Sequence, residues 1–268
     1  MRLFIAMVLL AGLAAAGCGG ARSESILDKE TLVVGVRPDL PSLGLRRPDG
    51  TFEGFDIDVA RYVARRLGKD VRFIPVLAAD RIPALTSKRA DLVLATLSVT
   101  PDRKTKIAFA GPYYTSYQDV MVRAGDARVK AVRDLKDRRF CAVEGADPTK
   151  RLLALHGMSA QLVPAKDYDA CMAMIKARAV DAITTNDVIL AGLIKRDGGG
   201  ARLLNVKLSE QNTGIGIRHG DPDGCVALNQ AITRMYQDGT ARTLVAKWFG
   251  GTGLDVAMTE VPQFEGCD

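Results

Sequence analysis

Asp56-Ile57-Asp58-Val59-Ala60-Arg61-Tyr62-Val63-Ala64-Arg65-Arg66-Leu67-Gly68, then Val71-Arg72-Phe73-Ile74-Pro75, then Asp91-Leu92-Val93-Leu94-Ala95-Thr96, are the stretches that decide the fold class. In the first, Val59, Ala60, Val63, Ala64 and Leu67 recur with a period near 3.6, which predicts a helix capped by Asp56 and stopped by Gly68. The other two are short apolar runs of strand length, with a second helix predicted between them near Ile82 to Lys88. Upstream, Leu32-Val33-Val34-Gly35-Val36 reads as a further buried strand, after which Pro38, Pro41 and the turn Pro48-Asp49-Gly50 interrupt regular structure. Strands that alternate with helices predict an α/β fold whose sheet is mainly parallel and flanked by helices.

The alternation starts again further on. Arg139 to Val143, Gln161 to Pro164, Ala182 to Thr185 and Leu203 to Lys207 read as strands, and Thr149 to His156, Tyr168 to Arg178 and Asp187 to Lys195 as helices. Gly214 to Arg218 is extended, and helices at Gly224 to Gln237 and Thr240 to Phe249 close the chain. No sequence repeat links the two blocks, so they read as two α/β lobes rather than duplicated modules.

The N-terminal segment addresses the compartment. Arg2 precedes the uncharged apolar run Leu3 to Ala16, which is of signal-peptide length and short of the roughly 20 residues that span a bilayer. Ala15-Ala16-Gly17-Cys18 then resembles a bacterial lipobox, which predicts a signal peptide over 1–17, a lipid on Cys18 and a flexible tether over 18–27. The net charge of +6 is spread along the chain and aromatics make up only 6% of it. No basic stripe interleaved with aromatics exists, which argues against a nucleic-acid partner.

Of the five cysteines, Cys18 is assigned to the lipid. Cys141, Cys171, Cys225 and Cys267 remain, an even number that admits three pairings in an oxidising compartment. Cys141 and Cys171 fall on a strand and a helix of one lobe, while Cys225 opens a terminal helix and Cys267 lies on a tail that must be pinned. The layout favours Cys141–Cys171 with Cys225–Cys267. No zinc-like spacing occurs, and neither a cofactor nor a metal is implied.

Gly54-Phe55-Asp56-Ile57-Asp58-Val59-Ala60 resembles the signature of the family-3 solute-binding proteins, the polar amino-acid receptors of ABC importers. Asp91 to Arg103, Ile107-Ala108-Phe109, Pro112-Tyr113-Tyr114, Gln237-Asp238-Gly239-Thr240 and Lys247-Trp248-Phe249 extend that similarity from about Lys29 to Gly250, and it is greatest to the actinobacterial glutamate-binding branch. The resemblance implies a two-lobed, periplasmic-binding-protein-like (type II) fold. Lobe 1 would span 28–114 and 212–268, lobe 2 would span 119–207, and the two crossings at 115–118 and 208–211 would form the hinge. It further implies a monomeric binding protein rather than an enzyme, anchored outside the cell membrane, that hands a small amino-acid-like ligand to an importer permease.

The family's site residues carry over one by one. Arg103 matches the arginine that grips a ligand carboxylate, as suits its planar fork, and Thr96 and Ser98 match residues that add donors beside it. Arg37 and Arg81 occupy positions that meet a distal carboxylate in acidic-amino-acid receptors, and Leu40 and Ala78 replace aromatics of the basic-amino-acid receptors. Glutamate and aspartate lead as ligands, with glutamine and asparagine next. Two positions depart from the pattern. Asn186 stands where an aspartate holds the ligand ammonium, and Asp147, a good helix N-cap, stands where threonine is usual. Asp147 or Asp187 could restore the missing charge, or the ligand could be something other than an α-amino acid. Two rival functions remain: a dehydratase on the same scaffold, with Glu144, Asp147 or Asp187 as its acid or base, and a sensor that signals to a partner.

Overall fold

The computed structural model describes residues 25–250, 252, 254 and 260–267. The predicted signal peptide and the lipidated Cys18 lie outside them. In chain order the elements are β1 (Thr31–Val36), β2 (Asp39–Leu40), β3 (Gly44–Arg46), β4 (Phe52–Glu53), α1 (Phe55–Arg66), β5 (Asp70–Pro75), α2 (Arg81–Thr86), β6 (Leu92–Val93), α3 (Pro101–Lys104) and β7 (Ala108–Arg123). There follow β8 (Arg139–Val143), α4 (Pro148–His156), β9 (Gln161–Ala165), α5 (Tyr168–Lys176), β10 (Ala182–Asn186), α6 (Asp187–Asp197), β11 (Ala201–Leu203), β12 (Glu210–Ile217), α7 (Pro222–Gln237) and α8 (Thr240–Phe249).

Two parallel triplets, β5-β1-β6 and β9-β8-β10, form the heart of the two lobes. They are joined by antiparallel strands: β12 pairs with β6 and β7, and β10 and β11 pair with β7. The fold is thus a mixed α/β two-lobed one, and the parallel character predicted for the sheet belongs to the βαβ strands alone. Sixteen-residue β7 was not legible as a strand. It runs from one lobe into the other, with Glu210, Gln211 and Asn212 paired to Tyr117, Ser116 and Thr115 beside it. A small antiparallel sheet, β2-β3-β4, fills the proline-interrupted stretch.

Three local readings are corrected. The cap of α1 is Gly54, not Asp56; with φ of +134°, it leaves an added Cβ only 2.2 Å from the carbonyl oxygen of Leu43, so only glycine fits. Asp56 instead turns inward, where the Thr96 N–H and Tyr113 hydroxyl donate to it at 2.9 and 2.8 Å. The strand expected at Leu203 to Lys207 ends at Leu203, because Asn205 and Lys207 adopt positive φ. The tether stops short of residue 27: Ser25 caps a 3-10 turn, and its hydroxyl and the Ile26 N–H both donate to Asp221.

The core is apolar and closely built. Phe55 packs between Tyr113, Tyr114 and Phe249 with ring centroids 5.3–6.3 Å apart, while Leu152, Val120 and Phe140 form a separate cluster in the second lobe. Disulfides join Cys141 to Cys171 and Cys225 to Cys267, the pairing the layout favoured. No helix of the described residues is long and apolar enough to cross a membrane.

Candidate functional site

Four strands of the parallel triplets point their carboxyl ends at one cleft between the lobes, the place where α/β sheets collect ligands. From β1 comes Arg37; after β6 come Thr96 and Ser98, with Arg103 on the short helix beyond. From the other lobe, the turn after β8 supplies Ala146, Asp147 and Pro148, and β10 ends in Thr185 and Asn186. Arg81 at the start of α2 joins them. The structure therefore brings Arg37, Arg81, Thr96, Ser98, Arg103, Asp147 and Asn186 around a single cavity.

Each side chain is held by identifiable partners. Arg37, 1% exposed, gives two parallel hydrogen bonds to Asp39 at 2.8 and 2.6 Å and lies 5.8 Å over the Tyr168 ring. Arg81 spends its donors on carbonyl oxygens: Ala78, Ala95, Thr96 and, across the cleft, Gly145 at 3.0 Å. Burial, with Arg103 and Arg37 close by, pushes the Arg81 guanidinium well below its usual value. Arg103 donates to the Ser98 carbonyl at 2.8 Å and to Gly145 at 3.4 Å. Burial lowers its pKa too, partly offset by Asp147 3.8 Å away.

Thr96 carries a strain signal. Its φ is +51°, an uncommon conformation for a β-branched residue, and it persists because Asp56 takes its N–H while Arg81 takes its carbonyl. Buried Asp56 is itself pushed up to about 6 by desolvation, against the bonds from Tyr113 and Thr96.

Asp147 occupies the N-cap position of α4 but caps nothing with its side chain, which is about half exposed and faces Arg103. Asn186 donates through its amide N–H to Ser116 at 3.1 Å. Asp187 is the predicted site residue that the structure leaves out of the cleft. Its carboxylate accepts from its neighbour Val188, faces Tyr117, Asp119 and Lys207 near the crossing strands, and is pushed up to about 6 by burial. A residue one step past the end of β10 turns away from the cleft that Asn186 faces. Of the three acid–base candidates Glu144, Asp147 and Asp187, only Asp147 lines the cavity.

Sequence reasoning missed Arg151 and Tyr168. Arg151, one helical turn after Asp147 on α4, lines the cavity and donates to Gln211 on the returning crossing strand at 2.9 Å. The spacing Asp147–Arg151 places both on one helix face and was the available signal. Tyr168 donates to Thr185 at 2.7 Å; its position at a helix start gave no hint that it would stand beneath Arg37.

The lobes are in contact across the cavity. Gly145, with φ of +72°, lies so close to the other lobe that an added Cβ would sit 2.4 Å from the Ala79 Cα, and one on Gly192 would sit 2.5 Å from the Pro41 carbonyl oxygen. The space between the arginines is about 20 Å³, room for about one water. A solute of amino-acid size does not fit in that space; parting of the lobes would release the Gly145 carbonyl from Arg81 and Arg103. Those two guanidiniums are then the donors that a carboxylate can take.

Known proteins share this fold. The bacterial extracellular solute-binding proteins, family 3, match residues 32–251. A glutamate-binding protein of Corynebacterium efficiens is 30% identical over 260 residues, covering 90% of this chain and 88% of that protein. A glutamine-binding protein of an ABC transporter in Bacillus subtilis is 27% identical, covering 91% and 93%. Among solved structures, an ancestral arginine-binding protein bound to glutamine superposes with a TM-score of 0.77 at 28% identity, covering 83% of this chain and 99% of that one. An ancestral amino acid-binding protein, a precursor of cyclohexadienyl dehydratase, gives 0.76 at 28%, covering 84% and 100%. The match over residues 32–251, on two lobes that meet at an arginine-lined cleft, makes the chain a member of the bacterial extracellular solute-binding proteins, family 3.

Proposed function

We propose that this protein is the substrate-binding subunit of an ABC importer, anchored outside the cell membrane through a lipid on Cys18, and that it captures a small acidic solute of glutamate or aspartate size. Lobe 1 is assigned to 28–114 and 212–268 and lobe 2 to 119–207, with 115–118 and 208–211 as the hinge about which they close. The monomer delivers its cargo to the importer's permease; the relatives' roles in glutamate and glutamine binding support that reading.

The observation that carries the acidic assignment is the convergence of Arg81, Arg103 and Arg151 on one cleft with Asp147 as the sole lining carboxylate among the described residues. Arg103 grips one carboxylate, helped by the N–H and hydroxyl of Ser98, whereas the N–H and hydroxyl of Thr96 are held by Asp56. Arg81 and Arg151, from opposite lobes, meet the second, so closure about the ligand joins the lobes through it. Glutamine and asparagine, which lack the second charge, bind more weakly. The relatives that match over most of the chain are named as binding proteins, which supports a binding rather than a catalytic use of the cleft.

Isothermal titration of the purified protein, freed of carried-over solute, tests the reading. Micromolar or tighter binding of an acidic solute is expected. Arg103→Ala should weaken it by about 3 kcal/mol, roughly a hundredfold, the usual cost of removing one partner of a desolvated charge pair. No binding across acidic four- and five-carbon solutes, or full affinity in Arg103→Ala, would contradict it.

A further inference from the structure

The cleft is rich in donors and poor in acceptors. Four guanidiniums line it, from Arg37, Arg81, Arg103 and Arg151, against the one carboxylate of Asp147. Arg37 is neutralised from behind by Asp39, whereas Arg81 has no carboxylate partner among the described residues and bonds only to carbonyls. Those bonds engage carbonyls that line the cavity. The carbonyls of Thr96 and Ser98 are already engaged by Arg81 and Arg103 within their own lobe. Asp56 lies beneath Thr96, wholly buried, and is occupied by Thr96 and Tyr113. Asp147 stands at the rim, half exposed, turned to Arg103. For a cation in the cleft, the acceptors left are neutral: the side-chain oxygen of Asn186, one of whose amide N–H groups goes to Ser116, the hydroxyls of Ser98 and Thr185, and the Gly145 carbonyl once the lobes part.

A buried ammonium brings three N–H donors and no acceptor. It is tolerated out of water only when acceptors, at least one of them charged, replace its hydration. This wall offers it arginines instead. A second carboxylate, or a carbonyl or hydroxyl oxygen, finds donors in the same place.

We propose that the ligand is a four- or five-carbon dicarboxylate whose α-carbon bears no ammonium: a 2-oxo, 2-hydroxy or unsubstituted diacid. The inference rests on the acidic-solute reading of the cleft and narrows it. One carboxylate lies on Arg103 and the other between Arg81 and Arg151, and Asn186 faces the neutral α-substituent.

The test is a parallel titration of the purified full-length protein with 2-oxoglutarate, malate, succinate and glutarate on one side and glutamate and aspartate on the other. At least one of the diacids should bind tenfold or more tighter than either amino acid. In Asn186→Asp that ratio should fall at least tenfold, because a carboxylate then faces the α-substituent. A ratio below tenfold in the native protein, or one that Asn186→Asp leaves unchanged, overturns the inference. If glutamate or aspartate binds and the diacids do not, the narrower inference fails while the acidic-solute reading stands. If neither group binds, the acidic-solute reading fails and the inference falls with it.

Discussion

Asp181 shows how much one carboxylate can hold together. At the start of β10 it accepts from Arg123 on β7, and from both the backbone and the side chain of Arg139 on β8. Those bonds hold its carboxyl down at about 2 despite burial. Since its folded value lies below the unfolded one near 3.9, its stabilisation is full above pH 4 and lost as pH falls toward 2. Asp181→Ala leaves two guanidiniums without their shared partner and should cost about 3 kcal/mol, measured by urea unfolding at pH 7. Asp56 and Asp187 run the opposite way. Burial raises both to about 6, so between pH 4 and 6 the folded state binds more protons than the unfolded one, and their contribution falls as pH rises. Comparing urea midpoints at pH 4.5 and 6.5, the native chain should lose more stability on going up than the Asp56→Asn/Asp187→Asn double variant; equal losses would contradict the assignment. At this scale the sequence exposed Arg37, Arg81, Arg103 and Asn186 only through the family resemblance, since an arginine in Pro101-Asp102-Arg103-Lys104 by itself reads as a solvated surface charge. It hid the role of Asp56, which reads as a helix cap and is a buried acceptor for a strained threonine, and it hid Arg151, whose place depends on where α4 lands.

The turn between β8 and α4 meets the other lobe closely. Gly145 has both a positive φ and no room for a Cβ against Ala78 and Ala79, and its carbonyl is shared by Arg81 and Arg103. The steric conflict is with residues of the other lobe, and a β-branched side chain at that φ adds backbone strain within its own. Gly145→Val should therefore hold the lobes apart. Solute affinity should fall at least tenfold, and small-angle scattering should show a larger radius of gyration in the presence of solute than the native protein gives. Unchanged affinity would mean that the close approach is not needed for capture. The β7 strand explains why the linkage was hard to read. Tyr113, Tyr114, Thr115, Ser116 and Tyr117 carry strand-forming residues without a clean alternation, because the strand leaves one core, passes the crossing and enters another.

For the molecule as a whole, alternation of strands and helices in two blocks made the α/β architecture legible, and the cysteine layout made the pairing legible. The antiparallel strands that fuse the blocks were not, since pairing partners such as Gln211 and Ser116 lie far apart in sequence and carry no periodic signal. The two disulfides divide their labour. Cys141–Cys171 closes a loop of 30 residues within the second lobe, and Cys225–Cys267 closes one of 42 residues that ties the C-terminal segment to α7. On the chain-entropy model each contributes about 3–4 kcal/mol, so reduction should lower the unfolding midpoint markedly. Cys225→Ser/Cys267→Ser should leave the cleft's affinity within about threefold, because neither cysteine touches it; a larger loss would show that the tail supports the site.

Capture between the lobes by arginines is tested most directly by a crystal structure with the tightest-binding acid. The account predicts density for one molecule inside the cleft, one carboxylate on the Arg103 fork in place of the Gly145 carbonyl, and the other between Arg81 and Arg151. A ligand bound elsewhere, or one in the cleft whose carboxylates avoid Arg103, would contradict it.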